Sequence, residues 1–386
     1  MATYADSQLP QVQLAPDMIH LGLGQPGISL LPLGEIETAA AHCLGSDKAF
    51  FLAYGEARGN TTFRNSLADF LTHQYQQSVE PDQLLITNGI SQALDFVCTL
   101  FTKPGDTILV EEPSYFLALR IFADHHLKLV SIPMDENGLV TEVLEEKLKT
   151  LSPAFLYTIP TYHNPASVTL SFKRRERLAR ISAREKLLVV ADEVYHFLNY
   201  TDTPPPPLVV FGGQCLSLGS FSKILAPGLR LGWIHASPGL IKKISRAGLI
   251  QSGGGFNPFT SEIVNVLIQK GTLLSNIKHL RQVYKHRAEI LCCELRASLP
   301  ETVSFQVPWG GYFIWLKFPE GIDTLDFRKS AQKQNVDFFP GSFFSPESGF
   351  SSHMRLCFAF YEEDRLLEGV RRLVRVLKQI HPALFI

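Results

Sequence analysis

The sequence shows no excess of either charge. Its 386 residues include 36 Lys or Arg and 37 Asp or Glu, which leaves a net charge of −1 at pH 7. Domains that bind nucleic acid or adsorb to anionic lipid usually carry a clear positive excess. We therefore expect neither a nucleic acid nor a membrane as a partner.

Segments that would enter or cross a membrane are also lacking. No uninterrupted apolar run approaches the roughly 18 residues that span a bilayer. The first basic residue is Lys48, whereas a secretory signal begins with a positive charge and a mitochondrial presequence is rich in Arg. We therefore expect a soluble protein that stays in the cytoplasm.

The cysteines lack the CxxC or Cys/His spacing of a metal site. Six are present, all in apolar or helical stretches: Cys43, Cys98, Cys215, Cys292, Cys293 and Cys357. This setting favours buried free thiols over disulfides or metal ligands. We expect no metal site.

The length and a change of composition predict two domains. A chain of 386 residues exceeds what one hydrophobic core usually supports. The pattern changes near residue 280, so we predict a large domain over residues 46–280 and a smaller α+β domain over residues 281–386. Residues 1–45 are predicted to form a segment that packs against the smaller domain.

In the predicted large domain, short apolar runs alternate with helical patterns. The apolar runs span residues 84–87, 107–110, 154–158, 187–191, 215–218 and 231–235, and helical periodicity spans residues 91–101, 116–125 and 172–185. This alternation predicts an α/β fold with a mostly parallel sheet, whose right-handed crossovers put helices on both faces. Beyond it we predict a long helix over residues 276–299, strands at 303–306 and 312–317, a helix, a strand and a terminal helix over residues 361–380.

Polar and aromatic residues follow five of the predicted strands. They are residues 88–92, 111–115, 160–165, 192–195 and 220–223. Ligands of open parallel sheets bind at the carboxyl ends of the strands. The sequence therefore predicts one site at this edge of the sheet.

Lys223 is the central residue of this set. A lone Lys is usually a surface charge, but Lys223 follows an apolar strand, stands beside Ser220 and Ser222, and is followed by Arg230. A Lys that acts as a Schiff-base nucleophile needs partial burial and a cationic neighbour that lowers its pKa. The context favours this function, with Arg230 as the neighbour and as a clamp for a phosphate.

Asp192 emerges from a buried strand, where an unpaired carboxylate is costly. A protonated pyridine nitrogen would be a suitable partner, because the pairing keeps such a ring an electron sink. Tyr195, three residues on, would reach the phenolic oxygen of the same ring. An ordinary helix N-cap is the alternative for Asp192.

The segment from Ser220 to Gly232 resembles the lysine signature of the class I and II aminotransferases, which are fold type I enzymes that use pyridoxal 5′-phosphate (PLP). The resemblance extends from about Ile19 to Ile380. It implies an aspartate aminotransferase-like fold, an aldimine between PLP and Lys223, and phosphate binding by the Ser residues and Arg230.

The same resemblance implies further contacts with PLP. Asn164 and Tyr195 match residues at the phenolic oxygen, Asp192 matches the residue at the pyridine nitrogen, and Tyr115 matches the aromatic that stacks on the ring. Ile90 and Ser91 match a phosphate loop at a helix N-terminus, where backbone N–H groups meet the anion.

Substrate and subunit contacts are implied in the same way. Arg355 resembles the Arg that binds the substrate α-carboxylate, and a guanidinium fork suits that task; on its own, an Arg in a strand near the C-terminus is more often a surface residue. Asn164, Gly24 and the segment 309–312 resemble family residues on the substrate side. Tyr54 resembles a Tyr that reaches the neighbouring site in a homodimer.

The sequence departs from the family pattern at two places. Ala166 and Ser167 stand where Thr-Gly is usual, so either the turn avoids positive φ or Ser167 is strained. Ile90 stands where a small or hydroxylated residue is common. Both leave PLP binding intact but weaken the inference to ordinary transamination.

We therefore predict an aminotransferase that moves an amino group between an L-amino acid and a 2-oxo acid. The aromatic residues favour aromatic, branched or aminoadipate-like substrates without ranking them; they are Tyr115, Tyr162, Tyr312, Phe256 and Phe344. The alternative is a PLP-dependent lyase, decarboxylase, racemase or cyclisation enzyme of specialised metabolism on the same fold. A sensor module of a DNA-binding regulator is disfavoured, because no helix-turn-helix or basic patch precedes residue 45.

Overall fold

The structure is a computed structural model that describes residue 15 and residues 17–45, 49–201 and 203–385. Lys48 and residue 46, the first residue of the predicted large domain, lie outside the described residues. No described helix is both long and apolar enough to cross a membrane.

The described residues form thirteen β-strands in three sheets. They are β1 (Ile19–His20), β2 (Leu84–Thr87), β3 (Thr107–Glu112), β4 (Lys128–Asp135), β5 (Gly138–Leu139), β6 (Phe155–Thr158), β7 (Leu188–Asp192), β8 (Cys215–Ser220), β9 (Gly232–Ala236), β10 (Phe313–Lys317), β11 (Val336–Asp337), β12 (Phe339–Pro340) and β13 (His353–Cys357).

Twelve α-helices lie in the same part of the chain. They are α1 (Leu33–Leu44), α2 (Thr61–Tyr75), α3 (Ile90–Phe101), α4 (Phe116–Asp124), α5 (Thr141–Leu148), α6 (Phe172–Glu185), α7 (Pro238–Ile244), α8 (Gly248–Gly253), α9 (Pro258–Gln269), α10 (Thr272–Ser298), α11 (Thr324–Gln332) and α12 (Glu363–Ile380). Short 3-10 helices occupy Ile28–Leu30, Phe50–Leu52, Pro81–Gln83, Leu208–Phe211, Pro227–Leu229, Gly341–Phe344 and Pro382–Phe385.

The largest sheet has eight strands in the order β2-β9-β8-β7-β6-β3-β4-β5. Strands β4, β3, β6, β7 and β8 pair in parallel, whereas β9 runs antiparallel between β2 and β8. Strands β6, β7 and β8 are buried at every residue, since apolar clusters cover both faces of the sheet. The predicted α/β fold with a mostly parallel sheet is confirmed, and all six predicted strands belong to it.

Two local predictions were wrong. Strand β4 was missed because it is only partly buried and contains Pro133, so it lacks the apolar run of the inner strands. The predicted strand at 303–306 makes only one isolated bridge, between Ser304 and Lys317, because Pro308 and two glycines follow it at once.

The smaller sheets are built from residues near the two ends of the chain. Strands β10, β13 and β12 form an antiparallel sheet, and β1 pairs in parallel with β11. Helix α1, by contrast, contacts α9. Helix α10 runs without a break through residues 280 and 281, and the division into domains stays a prediction.

None of the six cysteines, all of which lie in the described part of the chain, forms a disulfide. Five are buried as expected, but Cys293 is exposed on α10. The expectation was wrong there because Cys292 and Cys293 are adjacent on a helix, so only one of them can face the core.

Candidate active site

A cavity of about 600 Å³ lies at the carboxyl ends of the central strands. It contains nearly all of the predicted site residues. The described residues that line it are Gly22, Leu23, Gly24, Gln25, Ile90, Ser91, Leu94, Tyr115, Phe116, Leu117, Ile121, Ile159, Asn164, Asp192, Val194, Tyr195, Ser220, Ser222, Lys223, Pro227, Gly228, Arg230, Phe313, Phe339 and Arg355.

Lys223 lies in the turn that follows β8. Its Nζ donates a hydrogen bond to the carbonyl oxygen of Gly24 over 2.5 Å and lies 5.6 Å from the ring centroid of Tyr312. Burial lowers the pKa of the Lys223 ammonium to about 8, with a further lowering from Arg355 and Arg230. With this pKa, roughly a tenth of the Lys223 amine is neutral at about pH 7, far more than for an ordinary Lys, and nucleophilic attack and proton abstraction require the neutral amine.

Asp192 ends β7 and is 4% exposed. It accepts hydrogen bonds from the Tyr157 hydroxyl at 3.0 Å and from the Val194 N–H at 3.3 Å. Burial raises the pKa of the Asp192 carboxyl to about 6, against the opposing effect of these two bonds. A turn follows Asp192 instead of a helix, so the N-cap alternative is wrong.

Tyr157 was missed by the sequence reasoning. The available signal was a Tyr inside an otherwise apolar strand, since a buried hydroxyl needs a partner. Its hydroxyl on β6 reaches the carboxylate on the neighbouring strand β7.

The two predicted tyrosines, Tyr115 and Tyr195, both line the cavity. Tyr195 is buried against the rings of Tyr312 and Phe313, at centroid distances of 5.3 Å and 5.7 Å, and burial raises its pKa well above the ordinary value. Tyr115 precedes α4, and burial followed by the nearby Asp192 raises its pKa to about 12. Both phenols are therefore neutral donors near neutral pH.

One end of the cavity is open to solvent and rich in donors. Helix α3 begins at Ile90 after Gly89, whose φ is +85°, and Ser91 is exposed in its first turn. The exposed Arg230 guanidinium donates to the carbonyl of Asn88 at 3.2 Å. The first N–H groups of a helix lack intrahelical partners, so this end suits an anion.

Two hydroxyl groups stand at the same end. The hydroxyl of Ser220 donates to that of Ser222 over 2.9 Å and accepts from the Ser222 N–H at 3.1 Å. Ser220 ends β8 and is buried, whereas Ser222 is half-buried. The pair thus extends the donor-rich end into the floor of the cavity.

The opposite end holds Arg355, which is 2% exposed on β13. Its Nη1 donates to Oδ1 of Asn164 at 2.7 Å, and its Nη2 donates to the carbonyl of Gly22 at 2.6 Å. Nε has no hydrogen-bond partner and Arg355 has no ion pair among the described residues. Burial lowers the pKa of Arg355 to about 10.

Aromatic rings surround this guanidinium. Its central carbon lies 4.1 Å from the ring centroid of Phe313, 5.1 Å from that of Phe339 and 5.0 Å from that of Phe344. These contacts stabilise a cation away from water without neutralising it. A carboxylate would supply the missing charge.

The turn that carries Asn164 also contains Ser167, for which the sequence left open whether the backbone avoids positive φ or is strained. Ser167 has a φ of +60°, so it adopts the left-handed conformation that favours glycine. Its hydroxyl donates to the carbonyl of Phe313 at 2.6 Å. The turn therefore keeps the left-handed residue at the cost of some strain.

Some predicted residues lie elsewhere. Tyr54 is 89% exposed and is absent from the cavity wall. Of the five aromatic residues predicted to line a pocket, only Tyr115 does so within the described chain. Phe256 packs on Phe96, and Tyr162 packs against Gly310 and Gly311.

The apolar wall comes from residues that the sequence reasoning missed. They are Leu23, Phe116, Leu117, Ile121, Phe313 and Phe339. Nothing in their local patterns separated them from core residues, because several helices and strands contribute them.

The comparisons with known proteins agree with this geometry. The sequence matches the family described as aminotransferase class I and II over residues 16–373. It is 35% identical to aromatic-amino-acid aminotransferase 1 of Thermococcus litoralis, covering 94% of this chain and 88% of that protein. It is 31% identical to 2-aminoadipate transaminase of Thermus thermophilus, covering 96% and 93%.

A solved structure is similar over the same length. The kynurenine aminotransferase of Pyrococcus horikoshii, in complex with PMP, kynurenine and its product, has a TM-score of 0.88 and 33% identity, covering 94% of this chain and 91% of that chain. The chain belongs to the aminotransferase class I and II family. It is a PLP-dependent aminotransferase with the fold type I architecture, as predicted.

The sequence left two alternatives open, a PLP-dependent lyase or decarboxylase and a sensor module of a DNA-binding regulator. None of these comparisons supports a lyase or decarboxylase. The chain is also 28% identical to the helix-turn-helix regulator YdfD of Bacillus subtilis, covering 97% of this chain and 77% of that protein. The aminotransferases are the more similar relatives, and the enzyme assignment follows them.

Proposed function

We propose that this chain transfers the amino group of an L-amino acid to a 2-oxo acid, with PLP in the cavity and Lys223 as its covalent anchor. One observation carries the proposal. A single cavity holds a buried carboxylate, Asp192, and a buried guanidinium, Arg355, neither of which forms an ion pair among the described residues, together with a Lys whose pKa is about 8. Buried charges of this kind are stabilised when a ligand supplies the opposite charge.

The residues fit PLP. Burial raises the pKa of Asp192, and the attraction of Lys223 does not offset that burial, so a protonated pyridine nitrogen would supply the close counter-ion that the carboxylate lacks. We propose that the start of α3 with Ile90 and Ser91, together with Ser220, Ser222 and Arg230, holds the phosphate. Tyr115 would stack on the ring, and Asn164 and Tyr195 would donate to the phenolic oxygen. When bound, PLP supplies an electron sink for the carbanion at the substrate Cα.

The chain's own groups would then bind the substrate and move its proton. Arg355 would hold the α-carboxylate with its guanidinium fork, which orients the Cα–H bond. Nζ of Lys223, displaced from its anchoring position, would take the Cα proton and later return it, as its pKa of about 8 allows. Gly24 would accept from this amine on the substrate side, as it does at 2.5 Å now.

The wall of the cavity supports a substrate with an apolar side chain. Apart from Lys223, Arg230 and Arg355, the described lining contains no cation. The lining also includes the apolar side chains of Leu23, Phe116, Leu117, Phe313 and Phe339. We propose aromatic and branched amino acids as the better substrates, with aminoadipate-like acids below them because a second carboxylate lacks a partner in this wall.

We also propose a homodimer in which Tyr54 reaches the neighbouring site. Tyr54 stands among exposed apolar side chains that a partner would cover, including Phe50, Leu52 and Phe259. Exposed apolar side chains that lie together are typical of interfaces. A cytoplasmic location and a biosynthetic role complete the proposal, and both stem from the sequence alone.

The test is a transamination assay with the purified holoenzyme. L-Phenylalanine, L-leucine, L-2-aminoadipate and L-aspartate are offered with 2-oxoglutarate, and both the 2-oxo acid and the glutamate formed are measured. Lys223→Ala should lose activity and the absorbance of lysine-bound PLP, whereas the exposed-surface control Lys242→Ala should keep both. Release of carbon dioxide or ammonia without glutamate would contradict transamination, and equal rates with aspartate would contradict the apolar substrate class.

The homodimer has its own test. Tyr54→Ala and Lys223→Ala, each impaired alone, should regain activity when mixed and allowed to exchange subunits, since one mixed site contains both native residues. An active monomer in gel filtration with light scattering would contradict the dimer.

A further inference from the structure

The segment after β1 connects a buried histidine to the carboxylate end of the cavity. His20 ends β1, is buried and is absent from the cavity wall. Its Nδ1 accepts a hydrogen bond from the N–H of Gly22 at 3.0 Å. The carbonyl of the same glycine accepts from Nη2 of Arg355 at 2.6 Å. Both polar backbone groups of Gly22 are thus committed, one to His20 and one to Arg355.

The protonation state of His20 follows from its surroundings. Burial lowers its pKa to about 4, so the imidazole is neutral near neutral pH. Because Nδ1 accepts a hydrogen bond, the single ring proton is on Nε2. That atom lies 3.5 Å from Oδ2 of Asp337, outside hydrogen-bond geometry, and Asp337 is itself held by Arg328 at 2.6 Å.

The packing leaves Gly22 no freedom to move away. A Cβ at this position would lie 2.6 Å from the ring of Phe339 and 2.7 Å from Cε1 of His20. The rings of His20 and Phe339 are 5.0 Å apart, and Phe339 in turn lies 5.1 Å from the Arg355 guanidinium. His20 therefore contacts two of the groups that hold Arg355.

We propose that His20 is a positioning residue for the carboxylate-binding Arg355, acting through the backbone of Gly22 without touching the substrate. The inference rests on the proposed function, because it takes Arg355 as the carboxylate site. A guanidinium that binds bidentately loses affinity when its plane tilts, and a small misplacement is costly where water is excluded. The N–H and the carbonyl of Gly22 belong to consecutive peptide units that meet at its Cα, so the hydrogen bond to His20 fixes the first unit and thereby limits how the carbonyl of the second can turn at Arg355.

Two substitutions at His20 distinguish the role of Nδ1 from that of Nε2. In His20→Asn, the amide oxygen falls near the place of Nδ1 and can still accept from Gly22. In His20→Gln, the amide falls near the place of Nε2, so the Gly22 N–H loses its acceptor. Losing one hydrogen bond of ordinary strength corresponds to about a three- to tenfold change in an equilibrium constant.

The experiment uses the holoenzyme with the best amino-acid substrate of the transamination assay. We expect His20→Gln to raise KM about three- to tenfold with kcat nearly unchanged, and His20→Asn to restore the wild-type KM. Competitive inhibition by hydrocinnamate should weaken in parallel, whereas inhibition by its uncharged amide should not. Thermal unfolding and PLP absorbance of each variant report any general loss of structure.

The outcomes distinguish the inference from the function on which it rests. Arg355→Lys in the same assay should weaken hydrocinnamate relative to the amide. If it does not, the role of Arg355 fails and the inference fails with it. If it does, but His20→Gln leaves KM unchanged, or both His20 variants lower kcat and the unfolding temperature alike, only the inference is overturned.

Discussion

The two arginines that line the cavity lie in opposite surroundings. At the end proposed for the phosphate, Arg230 is exposed and stands beside the first N–H groups of α3. At the end proposed for the carboxylate, Arg355 is 2% exposed, is enclosed by phenyl rings and has no carboxylate partner among the described residues. The same side-chain type thus occurs once in water and once away from it.

The difference follows from what each end would bind. A phosphate carries nearly two charges and can be held by many partly hydrated donors, none of which is costly when the site is empty. A single α-carboxylate must be held firmly by few groups, so the guanidinium that would bind it is already removed from water in the folded protein. The free-energy cost of this desolvation lowers the stability of the fold. Substitutions at the two ends should therefore change different quantities.

The largest expected effect is the loss of the buried guanidinium. Arg355→Met removes about two charge-assisted hydrogen bonds to substrate, so kcat/KM should fall by about 10²–10⁴-fold. Since the substitution also removes a buried cation that lacks a counter-ion, the unfolding temperature of the substrate-free protein should not fall. Steady-state kinetics and thermal unfolding check both. Arg230→Met at saturating PLP is the matched control, and an equal loss in kcat/KM there would remove the proposed contrast.

The second prediction concerns how much the ionised Asp192 lowers the free energy of unfolding of the cofactor-free protein. Its pKa rises from 3.8 to about 6 on folding. The folded state thus holds the proton more tightly, and the stability this gives is present below about pH 4 and is lost as the pH rises through about 6. At about pH 8, the ionised group costs about 3 kcal/mol, since each pKa unit corresponds to about 1.4 kcal/mol.

Asp192→Asn should remove this cost. Urea unfolding of the cofactor-free proteins should show the variant more stable at about pH 8 and the two equal at about pH 4. With PLP bound the advantage should shrink or reverse, because the amide does not neutralise a protonated ring nitrogen. A variant that is less stable than wild type at about pH 8 without PLP would contradict the account of Asp192 as an uncompensated carboxylate.

The sequence predicted some parts of the cavity better than others, because only complete burial of a short segment leaves a clear local pattern. Strands β7 and β8 are buried at every residue, so their apolar runs and the residues that follow them, Asp192 and Lys223, were visible locally. Strand β4, which lies next to the short edge strand β5, was hidden by its partial exposure. Local patterns report burial of short segments, and they succeeded where burial was complete.

The environment of Arg355 was not predictable in that way. Gly22 and Arg355 are 333 residues apart in the chain, and their hydrogen bond exists only because β1 and β13 both pack in the same region. Likewise, Phe313 lines the cavity whereas Tyr312, which directly precedes β10, does not, and the packing of β10 against the site decides this. Tertiary packing decides such choices, and a single sequence does not record them.

The third prediction tests the phosphate end. Arg230→Gln should weaken PLP binding about tenfold at low ionic strength, because one charge-assisted contact at an exposed site is lost. The difference from wild type should narrow as salt is added, since salt screens exposed charges much more than buried ones. Titration of the cofactor-free protein with PLP at two salt concentrations measures this. A salt-independent loss would indicate that Arg230 is shielded from solvent when PLP is bound.

The smallest effect is expected at Ser167, beside the carboxylate end. Its left-handed conformation costs about 1 kcal/mol relative to glycine, and its hydroxyl bond to the Phe313 carbonyl at 2.6 Å returns a similar amount. Ser167→Ala and Ser167→Gly both lose the bond, but only glycine relieves the backbone. We therefore expect the Ala variant to unfold about 1 kcal/mol more easily than the Gly variant, which should stay near wild type. Equal stability of the two variants in urea unfolding would mean that the turn relaxes out of positive φ. Asn164, which lies in the same turn, should then lose its 2.7 Å contact with Arg355, and KM should rise.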